Sequence, residues 1–193
     1  MKKITVTAAV TAGSLAALGL GACGGSVTKA SSPPSPAKSS APKPAPSTPA
    51  PLSGPVGTTF KVSGTDNSGN STVYTVTLVQ FLPVAQGADY QQADPGHYLA
   101  GAKFRITGVT GNSSDDSNND AQATGNDSQV YEPAMDDITS GTNFNSGDFQ
   151  VSPGQTQIGW VSFQLPNSAK VTSIQWSADG FMGGSTPGTW KIS

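Results

Sequence analysis

After Gly57 the chain contains short runs in which apolar and polar residues alternate, and no stretch of 12 residues carries the period of an amphipathic helix. Residues 99–109 (LAGAKFRITGV) set Ala102, Phe104 and Ile106 on one face and Lys103 and Arg105 on the other. Residues 155–165 (QTQIGWVSFQL) align Val161, Phe163 and Leu165, and residues 171–177 (VTSIQWS) put Ile174 in phase with Trp176. A strand with one buried face requires this pattern, because successive side chains point to opposite sides of a sheet. Residues 58–63 and 72–81 read the same way. The second is rich in β-branched and aromatic residues, and Pro83 is expected to end it. Residues 129–131 and 148–151 are weaker candidates, and 189–192 closes the chain.

Turn chemistry separates these runs at Asn67-Ser68-Gly69-Asn70, Asp94-Pro95-Gly96, Ser152-Pro153-Gly154 and Pro166-Asn167. Seven or eight short strands with alternating faces predict an all-β fold, two antiparallel sheets packed as a sandwich over residues 57–193. A segment of about 140 residues is long enough for one domain with a real core. That segment carries all 12 Asp and Glu of the chain against five Lys and Arg, a net charge of −7. Such a surface repels phosphate backbones, so nucleic acid is excluded as a partner.

The first 22 residues have a different character. Lys2 and Lys3 precede an uncharged apolar run from Ile4 to Leu20, and Leu20-Gly21-Ala22-Cys23 closes it with small residues. This is the layout of a secretory signal. The run is marginal in length and rich in Gly, Thr and Ser, which argues against a membrane span. Leu20 to Cys23 resembles the lipobox of bacterial lipoproteins. That resemblance implies that Cys23 takes a diacylglyceryl thioether and becomes the first residue of the mature protein. Two acyl chains make a stable anchor where one holds marginally, at about 0.8 kcal/mol per buried CH₂. The expected location is the extracytoplasmic face of the cell membrane, with the membrane as a partner through this lipid. Cys23 is the only cysteine, so no disulfide is expected in the exported domain.

Residues 23–56 form the expected linker. Between Ser26 and Leu52, eight of 27 residues are proline, none is aromatic, and Val27 is the only β-branched aliphatic. Nothing there offsets the entropy of ordering, so a polyproline-biased disordered spacer is expected, reaching about 80 Å when fully extended. Lys29, Lys38 and Lys43 keep it soluble, or touch anionic lipid or wall polymer.

Two motifs carry a resemblance to a known family. Ser152-Pro153-Gly154-Gln155, then Gly159-x-Val161-x-Phe163-x-Leu165-Pro166, resembles the signature strand of an immunoglobulin-like family without an assigned function. Gly101-x-Lys103-Phe104-x-Ile106-x-Gly108-Val109 followed by Asn112 is similar to that family's earlier strand. The family occurs on secreted proteins and lipoproteins of Gram-positive bacteria, including a small immunogenic protein secreted by mycobacteria. The resemblance spans about residues 57–193 and implies an immunoglobulin-like fold and an extracytoplasmic location. It implies no catalytic residues. The long insert between Asn112 and Gln129 departs from the family pattern.

Residues that carry chemistry are few. Nucleophile-elbow, Walker, Rossmann and Cys/His metal patterns are all missing from residues 57–193. His97 is the only histidine and follows Asp94-Pro95-Gly96, which reads as a turn and not as part of a triad. Glu132 with Asp136 and Asp137 offers a carboxylate pair, read here as a loop after a strand. Counted from Asp116, the acidic segment places Asn118, Asp120 and Asp127 at positions 3, 5 and 12 of an EF-hand-like spacing. Ala121 stands where that turn needs glycine, and flanking helices are missing, so a solvated mobile loop is expected. Trp176 reads as core. Trp160 lies opposite Val161 and Phe163, and Trp190 lies in the last strand; exposed together, they would suit carbohydrate stacking.

These readings converge on a non-enzymatic interaction or sensing module that needs no cofactor, metal or catalytic residue. It would bind a protein or cell-wall component through loops or a sheet face. A carbohydrate- or Ca²⁺-binding module is the alternative, and a hydrolase built on His97 or Glu132 a more distant one.

Overall fold

The computed structural model describes residues 52–66, 68–144, 146–182 and 186–193. The expected signal segment, Cys23 and the expected linker up to residue 51 lie outside the described residues. The fold is a β-sandwich, as the alternation predicts, and of the immunoglobulin-like type that the family resemblance implies.

One sheet runs in the order β2 (Thr59–Thr65), β3 (Ser71–Ala85), β4 (His97–Thr110), β9 (Thr156–Pro166), all antiparallel. The other runs β1 (Leu52–Pro55), β11 (Gly188–Lys191), β10 (Val171–Trp176), β6 (Ala121–Gly125), β7 (Val130–Tyr131). Its β1–β11 pair is parallel, with Leu52 opposite Gly188 and Pro55 opposite Lys191. A small third ribbon pairs β5 (Ser113–Asp116) with β8 (Asp148–Val151).

Among the described residues eleven strands therefore stand where seven or eight were expected. The sandwich also begins at Leu52, five residues ahead of the expected boundary at Gly57. The additional strands are short and poor in large apolar residues. β6 reads Ala-Gln-Ala-Thr-Gly and nevertheless lies inside its sheet, between β10 and β7. Its alanines are small because the partner strand is large: Ala121 sits opposite Trp176 and Ala123 opposite Ile174, and all four are fully buried. Close packing allows one large residue per site, so volume is shared across the pair.

β3 passes through Pro83, which was expected to stop it. Its pairing with β2 ends at Thr77, and its pairing with β4 shifts register between Leu82 and Ala85. Pro83 thus falls at an irregularity on a strand with one open edge, where a missing N–H costs least.

Between the sheets, Phe104 of β4 meets Trp176 edge-on at 4.7 Å and Trp190 at 5.8 Å, and Phe60 lies 4.9 Å from Trp190. The Trp190 indole N–H donates to the Thr58 carbonyl at 2.7 Å, which satisfies its buried polar atom. A second, smaller apolar cluster forms on the outer face of β4 and β9, where Leu99 and Trp160 pack under Ile138 of the loop after β7. Gly101 makes that approach possible, since a Cβ there would lie 2.7 Å from the Ile138 side chain.

Candidate functional sites

The strands give the sandwich two ends with opposite chemistry. Tyr74, Trp176 and Thr65 lie toward one end; Phe81, Tyr98, Val171 and Ile192 lie toward the other.

At the first end is a buried carboxyl network. The acidic insert is not a mobile loop. It folds into β5, a one-turn helix α1 (Ser117–Asp120) and β6, with Ser117 and Asp120 fully buried. Asp116 caps the helix, its Oδ1 accepting from the Asn118 N–H at 2.8 Å. Asp120 turns inward: Oδ2 accepts from the Tyr74 hydroxyl at 3.3 Å and Oδ1 from the Gly180 N–H at 3.0 Å. The Tyr74 hydroxyl in turn accepts from the Trp176 indole N–H at 3.0 Å. Beside it, Asp115 Oδ2 accepts from the Asp179 N–H at 3.2 Å. Asp179, Gly180 and Phe181 are three consecutive residues in the left-handed region, with φ of 56°, 62° and 64°. Burial, followed by the charge of Asp115, pushes the Asp120 carboxyl up to about 8. Near neutrality the protonated form of Asp120 is therefore favoured in the folded chain.

At the second end the core opens. Phe81, Tyr98, Val171 and Ile192 are packed against the main core but only partly buried, and all four line a cleft of about 660 Å³ between the two sheets. Pro83 and Val84, the latter 71% exposed, form its rim. The Tyr98 hydroxyl donates to the Ala169 carbonyl at 3.1 Å and pins the β9–β10 turn across the floor. An adjoining hollow of about 520 Å³ shares Phe81, Pro83 and Ile192 and extends past Val56 and Lys191. The strands place these residues far apart in sequence, and no local motif announced the cleft.

The residues singled out from sequence are scattered. His97 opens β4, exposed, and its ring Nδ1 lies 3.3 Å from the Pro95 carbonyl oxygen. Glu132 accepts from Gln122 at 2.9 Å beside an acidic hollow, while Asp136 and Asp137 line a different one. No triad or carboxylate pair is assembled from them. Asp136 is raised above its ordinary value by burial, then by Asp94 and Asp137.

The EF-hand-like spacing does not converge either. Asp116 caps α1, Asp120 points into the core, and Asp127 accepts from the Tyr131 hydroxyl at 2.6 Å on the far side of β6. Among the described residues no group of three or more His, Cys, Asp or Glu is placed to hold a metal ion.

The tryptophan platform is overturned. Trp190 and Trp176 are fully buried and Trp160 is 3% exposed under the Ile138 loop, so neither Trp160 nor Trp190 offers a stacking face. Lys103 lies over the Trp160 ring at 5.5 Å and covers part of what the loop leaves.

These features define an immunoglobulin-like sandwich with a cleft at one end and a buried acid network at the other. The chain is similar in structure to MPT63, a secreted protein from Mycobacterium tuberculosis solved by crystallography at 1.5 Å. The match has 16% sequence identity and a TM-score of 0.52, and it covers 75% of this chain and 100% of that one. No protein-family model matches the chain, and comparison with curated proteins finds no match. What is shared with MPT63 is the fold.

Proposed function

We propose that this is a lipid-anchored protein of the extracytoplasmic face of a Gram-positive cell membrane, displaying a non-catalytic binding module on a Pro-rich tether. The observation that carries the binding role is the cleft of about 660 Å³ at which the sandwich core meets solvent. Ligand sites are concave, mostly apolar and of this order of size, about 300–1,000 Å³. Its partner is a protein or cell-wall component that reaches the end of the sandwich bearing Phe81, Tyr98 and Ile192.

Export and anchoring are supported by the order of Lys2-Lys3, apolar run, small residues and Cys23. The secreted character of MPT63 agrees with export. Among the described residues no helix is long and apolar enough to cross a membrane.

One anchor variant and two rim variants test the two halves. Cys23→Ala in the full chain is expected to move the protein from the membrane fraction to the soluble fraction; unchanged partitioning refutes the anchor. Envelope binding by that soluble chain is expected to fall when Val84→Asp or Ile192→Asp is added at the rim, with thermal melting unaltered. Full retention by both rim variants refutes the cleft as the binding surface.

A further inference from the structure

We propose that the cleft holds the acyl chain of an anionic single-chain amphiphile, with its head group between Lys170 and Lys191. This rests on the cleft being the binding surface and adds the chemical class of its occupant.

The apolar part of the argument is the open core. The two adjoining hollows, about 660 and 520 Å³, share Phe81, Pro83 and Ile192, so they form one elongated trough and not a round pit. Aromatic and aliphatic side chains make its walls, which suits an extended hydrocarbon more than a ring of hydroxyls. A sugar needs convergent donors and acceptors, whereas the polar side chains of this lining, Asn167, Ser193, Gln80 and the two lysines, are divided between the two hollows, and the Tyr98 hydroxyl is already bonded to the Ala169 carbonyl. Covering such walls recovers about 25 cal/mol per Å² of apolar surface.

The polar part is charge. Residues 57–193 carry only five basic residues, yet Lys170 lines one hollow and Lys191 the other. Both are exposed, and among the described residues neither has a carboxylate partner. Lys170 is held in place by Asn126, whose side-chain Oδ1 accepts from the Lys170 N–H at 2.9 Å and whose own N–H donates to the Lys170 carbonyl at 2.8 Å. The nearby carboxylate, Asp127, is occupied by Tyr131. Two unpaired ammonium groups beside an apolar trough, on a domain of opposite overall sign, complement an anionic head and an apolar tail. Their stems lie along apolar surface while the charges stay hydrated.

The test uses the full chain carrying Cys23→Ala, so that no acyl chain is attached in cis. It is titrated below the micelle threshold with dodecanoate, with dodecyl maltoside and with acetate, followed by calorimetry and by methyl NMR of Val84, Val171 and Ile192. The expected result is saturable dodecanoate binding that shifts those methyls and leaves the Ile138 methyls unmoved, with no response to acetate. Lys170→Glu with Lys191→Glu is expected to weaken dodecanoate about tenfold or more at unchanged melting temperature. Equal binding of dodecyl maltoside, indifferent to charge reversal, overturns the anionic head. If no amphiphile moves these methyls while Val84→Asp still abolishes envelope binding, the lipid occupant is refuted and the binding surface stands. If envelope binding also survives Val84→Asp, both fall.

Discussion

The indole N–H of Trp176 donates to the hydroxyl of Tyr74 across 3.0 Å, a buried polar bond between the two sheets. Tyr74 relays its own proton toward Asp120, so a strand of each sheet and the one-turn helix meet at a single buried carboxyl. That arrangement makes the sandwich sensitive to proton concentration.

Stability is expected to fall as pH rises through the neutral range. Asp120 is raised from 3.8 to about 8, so between those values the folded state holds a proton that the unfolded chain has released. The contribution is complete below about pH 4 and is lost progressively as pH approaches 8. The groups facing Asp120 are Asp115, Tyr74 and the Gly180 N–H, with Asp179 on the adjoining turn. Asp66 and Asp127 act in the opposite sense: both are lowered, by hydrogen bonds from Asn70 and Tyr131, and their help is lost only in stronger acid. Thermal melts across pH 4 to 9 are expected to show a drop of several degrees on the alkaline side. Asp120→Asn, whose amide oxygen can keep one acceptor contact while its NH2 stands in for the protonated oxygen, is expected to flatten it. A variant with the same slope as the parent removes Asp120 as the cause.

Gly159→Ala is expected to destabilise the domain by about 1–3 kcal/mol, the usual range for overpacking. A Cβ at Gly159 would lie 2.8 Å from the Phe144 ring, which covers the inner face of β9. Urea unfolding measures the loss. In Gly159→Ala combined with Phe144→Leu, the cost should be less than the sum of the two single changes, because one ring is the obstacle in both. Strict additivity counts against this packing.

All three tryptophans are expected to be shielded in the native state. Iodide should quench their emission weakly until the protein is unfolded, since Trp176 and Trp190 are fully buried and Trp160 is nearly so. Strong native quenching places at least one indole at the surface.

Calcium is expected to leave the melting temperature unchanged at millimolar concentration. Asp116, Asp120 and Asp127, the carboxylates of the EF-hand-like spacing, point to a helix cap, the core and Tyr131. A saturable rise in melting temperature contradicts this.

The long alternating runs made the fold legible: Ala102, Phe104 and Ile106, and likewise Val161, Phe163 and Leu165, are all buried on the face their spacing indicates. What stayed hidden was non-local. β6 looks like loop because its alanines are small, and they are small only on account of Trp176 and Ile174 across the sheet. Asp120 looks like one more solvated acid among its neighbours, and only the placement of Tyr74 and Gly180 turns it inward. Trp160 sits on the predicted outer face, but a loop some 20 residues upstream in the chain folds over it and makes a second core there. The cleft draws its walls from β3, β4, β10 and the end of β11, so its residues share no window of sequence.

The parallel pairing of the first and last strands has a mechanical consequence. Leu52 enters beside Gly188, at the end of the sandwich away from the cleft, and β1 then runs toward Lys191. A pull applied ahead of Leu52 and resisted by a partner gripping Ile192 acts along the strand axes. The hydrogen bonds of β1 to β11 then bear the load together in shear, and do not unzip one at a time. A domain held at one end and tugged at the other is braced in the direction in which a sheet is strongest.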